Sequence, residues 1–304
     1  MNSEIQLRNE RVRIRILPER GGKIASVYDL SHAFELLYQP NGEYPPLRPG
    51  MAFSDGDASG FDDVFPSMGE KWHDPSVGQD RALPDHGEIW TSSMEVDSVT
   101  EITVRMHTRG QSFPFRYDKE LSLLARGVRE RITVTGTGKE PFPCLWVCHC
   151  LMRAEAGMRF EFPEGSGAIE CVPECSWPPE GQAVTALRDL QVPPPDGTMM
   201  KFYFRDPVQT GECAVSYPLS GVCAVLRFHP EQLPYLGFWI TAGGYRGERN
   251  FAFEPASGYY DTLGKAAESG RLPVLRPGER AVYETEIVLS DLPGTASVPV
   301  RGGL

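Results

Sequence analysis

The chain has 304 residues, a formal charge of −11, and 40% hydrophobic and 10% aromatic side chains. That apolar content is ample for a packed core, and 23% charged residues is too few for a disordered chain. A negative surface repels phosphate backbones and anionic lipid, so neither a nucleic-acid nor a membrane partner is expected.

The opening segment, Met1–Leu17, alternates Arg11, Arg13 and Arg15 with Val12, Ile14 and Ile16. It reads as a first strand and lacks the apolar stretch of a signal peptide. Gly42–Gly87 follows, rich in Pro, Gly and Asp and weakly periodic, as long functional loops are. Ile102, Val104 and Met106 alternate with Thr103, Arg105 and His107 in a second half-buried strand. Leu121–Leu124 and Arg131–Thr135 flank Ala125–Gly127 as a hairpin or a meander corner. Pro173–Pro195, ending in three prolines, reads as a surface spacer. One segment reads as a helix: Asp261 caps it, Thr262–Ser269 fills it and Gly270 ends it. Arg276-Pro-Gly-Glu279 then turns the chain into a last strand, where Tyr283, Thr285, Ile287 and Leu289 share a face.

Many short strands and little helix predict an all-β sandwich or barrel, with 1–304 as a single domain. No run of about 18 apolar residues occurs, so no membrane-spanning helix is expected. Seven cysteines, three of them within Cys144–Cys150, do not suit a secreted disulfide framework. Reduced thiols and a cytoplasmic location are expected.

Four constellations can carry chemistry. In Phe251-Ala-Phe-Glu254-Pro255, Glu254 ends a strand beside aromatic residues, and Pro255 holds it extended. Desolvation there would make it a stronger base, although a solvated strand-end glutamate has the same local pattern. In Cys144-Leu-Trp-Val-Cys-His149-Cys150 a strand turns His149 away from all three cysteines. Converging zinc ligation therefore fails, leaving His149 as a core histidine or a pocket-facing acid or base. Asp85-His86-Gly87 offers a hydrogen-bonding histidine with close backbone access, or simply a turn. The acidic pair in Phe61-Asp-Asp-Val-Phe-Pro66 can bind hydroxyls or solvate a turn. Nucleophile-elbow, phosphate-loop and His-Glu-x-x-His patterns do not occur in the sequence.

The order of these signals resembles the aldose 1-epimerase (galactose mutarotase-like) superfamily. The resemblance is carried by Leu17-Pro-Glu-Arg-Gly-Gly-Lys-Ile-Ala-Ser-Val27, Glu35–Leu37, Phe61–Pro66, Asp85-His86-Gly87, Val147-Cys-His149, Glu254-Pro255 and Leu275–Glu279. It implies a β-supersandwich, a large antiparallel two-sheet fold with a sugar site in a concave cleft. It implies an isomerase in which Glu254 takes the anomeric hydroxyl proton, His149 protonates the ring oxygen and His86 holds the sugar. Asp63, Lys71, Trp239 and Arg246 are the further substrate-binding candidates. The ligand would be a small sugar or sugar phosphate, no cofactor or metal is required, and a monomer or homodimer would serve. A non-catalytic carbohydrate-binding protein of the same fold is the alternative. Two departures bear on the substrate. Members acting on free hexoses often carry Arg after the Phe-Pro loop, where Ser67–Lys71 has only Lys71. The Asp for distal hydroxyls has no motif; Asp206 is the candidate.

Overall fold

The computed structural model describes residues 4–69, 71–74, 78–165 and 167–293. Met1–Ser3 of the expected first strand and Glu70 of the Ser67–Lys71 segment lie outside them. Two large antiparallel sheets dominate. The first has eleven strands, and its main path runs Ile5–Arg8, Val12–Leu17, Lys23–Asp29, Phe61–Val64, Val147–Cys150, Arg249–Ala256, Tyr235–Ala242, Met199–Phe204 and Ile169–Cys171. The second has eight: Arg159–Glu161, Glu212–Tyr217, Val222–Phe228, Arg280–Asp291, Gly127–Gly136, Phe115–Leu124, Thr103–Arg109 and Glu95–Val99. Among the described residues no helix is long and apolar enough to cross a membrane.

The sheets share one core because strand alternation sends every second side chain inward. Ile14, Phe202, Phe238, Phe251 and Phe253 of the first sheet meet Tyr117, Leu121, Ile132, Val215 and Ile287 of the second. Each such side chain contributes about 1.5–3 kcal/mol on full burial. The opposite face of the first sheet is left to form a cleft.

Local chemistry revises three expectations. The first strand is a hairpin, because the Asn9 side-chain oxygen accepts from the amides of Arg11 (2.8 Å) and Val12 (2.9 Å) and turns the chain. Ile102 is 59% exposed, and its strand begins at Thr103. The helix spans Leu263–Glu268 and is capped by Thr262, whose hydroxyl accepts from the Lys265 amide at 3.1 Å. Asp261 is turned elsewhere, into the cleft.

Inside Gly42–Gly87, Phe61–Val64 is a central strand rather than loop. Asp63 points into the core, 2.9 Å from Lys119 Nζ, which also lies 2.8 Å from Glu130. Tyr117 donates to Asp63 (2.9 Å) and accepts from the Trp146 indole (2.8 Å), so the cluster ties the two sheets together. Burial, then the neighbouring Asp63, pushes Glu130 up to about 8 despite Lys119. Asp62, on the other face, stands 3.1 Å from the buried Lys23, which also binds Asp57. The acidic pair is structural and buried, not a solvated turn.

Candidate active site

Strand register builds the floor of the cleft. His149 is paired with Asp62, Glu254 with Gly237, and Gly237 with Tyr203. The Val147–Ala256 and Met152–Phe251 pairs bracket His149 and place it opposite Glu254. Adjacent strands lie about 4.8 Å apart, so imidazole and carboxylate rise from neighbouring backbone positions. Their sequence neighbours Cys148, Cys150, Phe253 and Phe251 point the other way, into the core, as alternation requires.

Glu254 is 1% exposed. Its Oε2 lies 2.9 Å from Lys201 Nζ, which lies 2.9 Å from Asp261 Oδ1. Tyr203 donates its hydroxyl to the same Asp261 carboxylate. Burial raises the Glu254 carboxyl above its ordinary value, Lys201 pulls it back and Asp261 pushes it up again. Gly237 makes this arrangement fit: a Cβ there would lie 2.9 Å from the Tyr203 ring and 3.0 Å from Glu254 Oε2.

His149 is 5% exposed, and among the described residues its Nδ1 has no hydrogen-bond partner. Burial, reinforced by His86, Lys201 and Lys23, holds it well below the ordinary histidine value. Its ring stands edge-on to Phe53 (5.1 Å) and to His86 (5.2 Å).

His86 enters from a loop with φ +56°, a conformation that non-glycine residues rarely adopt. Gly87 must follow, since a Cβ at that position would sit 2.2 Å from the Phe65 carbonyl oxygen. Asp85 accepts from His86 Nδ1 (2.7 Å) and from the Phe53 amide (2.7 Å), leaving Nε2 for a ligand. Burial works to raise Asp85, but the His86 and Phe53 bonds outweigh it and hold the carboxyl low. Phe53 stacks on His86 at 4.1 Å and fixes the ring plane.

Glu254, Lys201, Asp261, His149, His86 and Phe53 line one cavity of about 380 Å³, within the range of small-molecule sites. Trp239, Tyr245, Glu248 and Asn250 line it too. Of the sequence candidates, the cleft therefore brings together Glu254, His149, His86 and Trp239. Asp63 is sealed in the core with Lys119, and Lys71 is exposed on the Lys71–Asp74 hairpin strand, outside the lining. Arg246 lies beside the lining, donating to the carbonyls of Ser54 (2.8 Å) and Gly56 (3.4 Å). Asp206 borders a different, smaller cavity. The expected spacer Pro173–Pro195 instead supplies Glu174 and Cys175 to the cleft wall.

Sequence reasoning missed Lys201, Asp261, Phe53, Glu248 and Asn250. A signal existed for Lys201, a charged side chain on the strand face opposite the apolar row of Met200, Phe202 and Phe204. A lysine on a solvated face gives the same pattern.

Neither a family model nor a curated protein matches the sequence. Solved structures do. The chain is similar to the Slr1438 protein of Synechocystis sp. PCC 6803, at 15% identity and TM-score 0.74 over 96% of each chain. A galactose mutarotase related enzyme from Lactobacillus acidophilus matches at 14% and TM-score 0.71, covering 97% of this chain and all (100%) of that one. A galactose mutarotase-like protein from Lactobacillus casei matches at 15% and TM-score 0.67, over 95% and 100%. Superposable strand order at such low identity is a statement about fold, and the chain has the galactose mutarotase-like sandwich fold.

Proposed function

We propose that the cleft binds an aldose and interconverts its α and β anomers by acid–base ring opening. The observation that carries this reading is the convergence of Glu254, His149 and His86 on one small-molecule cavity. Glu254 takes the proton of the anomeric hydroxyl as the C1–O1 double bond forms. The C1–O5 bond breaks, and O5 takes a proton from His149. Rotation about C1–C2 presents the other carbonyl face, and reclosure returns both protons. His86 Nε2 holds the ring oxygen or a neighbouring hydroxyl, and Trp239 offers an aromatic face to the sugar.

The competent state needs an ionised Glu254 and a protonated His149. Burial pushes both the other way; Lys201 draws Glu254 back toward its ionised form while adding to the bias against a protonated His149. A second reading, sugar binding without turnover, draws on the same ion pair, because Lys201 already occupies part of the Glu254 carboxylate. Saturation-transfer NMR on a panel of aldoses separates the two. Exchange between anomers that rises in proportion to protein supports isomerisation; binding with an unchanged exchange rate supports the second reading.

A further inference from the structure

We infer that Glu248 and Asn250, beside Trp239, form the subsite for the sugar end remote from the anomeric carbon, and that this subsite selects an uncharged or amino-substituted aldose over its phosphate ester. The inference rests on the acid–base reading of Glu254 for the direction in which the sugar lies.

Asn250 and Glu254 lie on the same face of one strand, four residues apart, which at ~3.3 Å per residue is roughly 13 Å. Two hydrogen bonds of about 2.8 Å leave roughly 7–8 Å, room for one pyranose ring and its exocyclic arm. The far end is built, not incidental. Asn250 is 1% exposed, and its side-chain oxygen accepts from the Trp239 indole at 3.1 Å. That fixes the amide so that its nitrogen donates to Glu248 Oε2 at 3.3 Å. Glu248 is 4% exposed, and its other oxygen lies 3.3 Å from Arg246 Nε. Tyr245 stands edge-on to Trp239 at 5.8 Å and closes the corner.

A carboxylate accepts at about four lone-pair sites, so Glu248 retains capacity for a hydroxyl or ammonium donor. It has nothing to offer a phosphate. Among the described lining residues the charged groups are the carboxylates Glu174, Glu248, Glu254 and Asp261 and the ammonium of Lys201. Lys201 is already matched to two of those carboxylates, and Arg246 is bound to two carbonyls and to Glu248 itself. A phosphoryl group at the far end would face buried negative charge in a low-dielectric site.

The test titrates the protein with glucose, galactose, their 6-phosphates and their 6-amino-6-deoxy analogues, reading both dissociation constants and anomer exchange. The 6-phosphates should bind at least about tenfold more weakly than the parent sugars, and the amino analogues at least as tightly as the parents. Glu248→Gln should raise KM for the parent sugars about tenfold, the loss of one charge-assisted hydrogen bond, with kcat within about threefold. It should also narrow the penalty against the phosphates, whereas Glu248→Asp, keeping the charge, should preserve that penalty. Equal affinity for parent and phosphate overturns the inference, as does a Glu248→Gln variant with unchanged KM and unchanged discrimination. If sugars bind but no anomer exchange occurs, the isomerase reading fails alone, and the dissociation constants still decide the subsite. Absence of binding to every sugar overturns both.

Discussion

Two buried clusters of this molecule have the same charges and different consequences. In the core, Lys119 stands between Asp63 and Glu130; in the cleft, Lys201 stands between Glu254 and Asp261. Each sets one ammonium against two carboxylates. The core cluster is no more than 1% exposed at any side chain, so its surplus charge is met by a proton held on Glu130. The cleft cluster borders a cavity and an imidazole whose Nδ1 has no partner among the described residues, so its protons can pass to a ligand. Buried charge alone marks neither structure nor function. What separates the two is an adjoining space for a ligand and a second titratable group facing it.

The comparison can be broken by substitution. Glu254→Gln should lower anomer exchange by about 10²–10⁴-fold, the worth of a positioned base, while the melting temperature changes little; polarimetry and calorimetry together check this. Lys119→Met should do the reverse. With Glu130 holding its proton, the Asp63 carboxylate left in the core without its cation should cost about 3–5 kcal/mol in urea unfolding, with kcat per folded molecule retained. Lys201→Met should raise the Glu254 carboxyl, because the neighbouring cation is lost and Asp261 stays. The ionised base then becomes scarcer at low pH, and His149, relieved of the same cation, keeps its proton to higher pH. The whole kcat/KM profile should therefore move to higher pH, with about a tenfold loss on its acid side for each unit of the shift. If the loss is independent of pH, Lys201 only shapes the cleft.

Two smaller effects sharpen the contrast. Gly237→Ala should lower kcat severalfold, since its Cβ would crowd Glu254 Oε2 at 3.0 Å, without the large stability loss of Lys119→Met. In the core, Glu130 has a folded-state value of about 8 against an ordinary 4.5, so the folded chain holds this proton more tightly than the unfolded one. That contribution is complete below about pH 4.5 and is lost as pH rises through about 8. Unfolding free energy should therefore decline across this window, and Glu130→Gln should flatten the slope.

By itself the sequence determined the strand faces of this protein, because alternation along a strand is a local rule that each residue obeys through its own backbone. It turned His149 away from Cys148 and Cys150 and set Glu254 opposite Phe251 and Phe253. Only the tertiary structure decided which charges meet. Asp63 and Lys119 are 56 residues apart, and Lys201 and Asp261 are 60 apart, so their pairing depends on how strands from distant parts of the chain line up. Asp63 and Glu254 have equally plausible local patterns, yet one faces a sealed core and the other a cavity. The same holds at the helix, where Thr262 and Asp261 are both competent caps: Lys201 and Tyr203, brought near by the sheet, claim the aspartate.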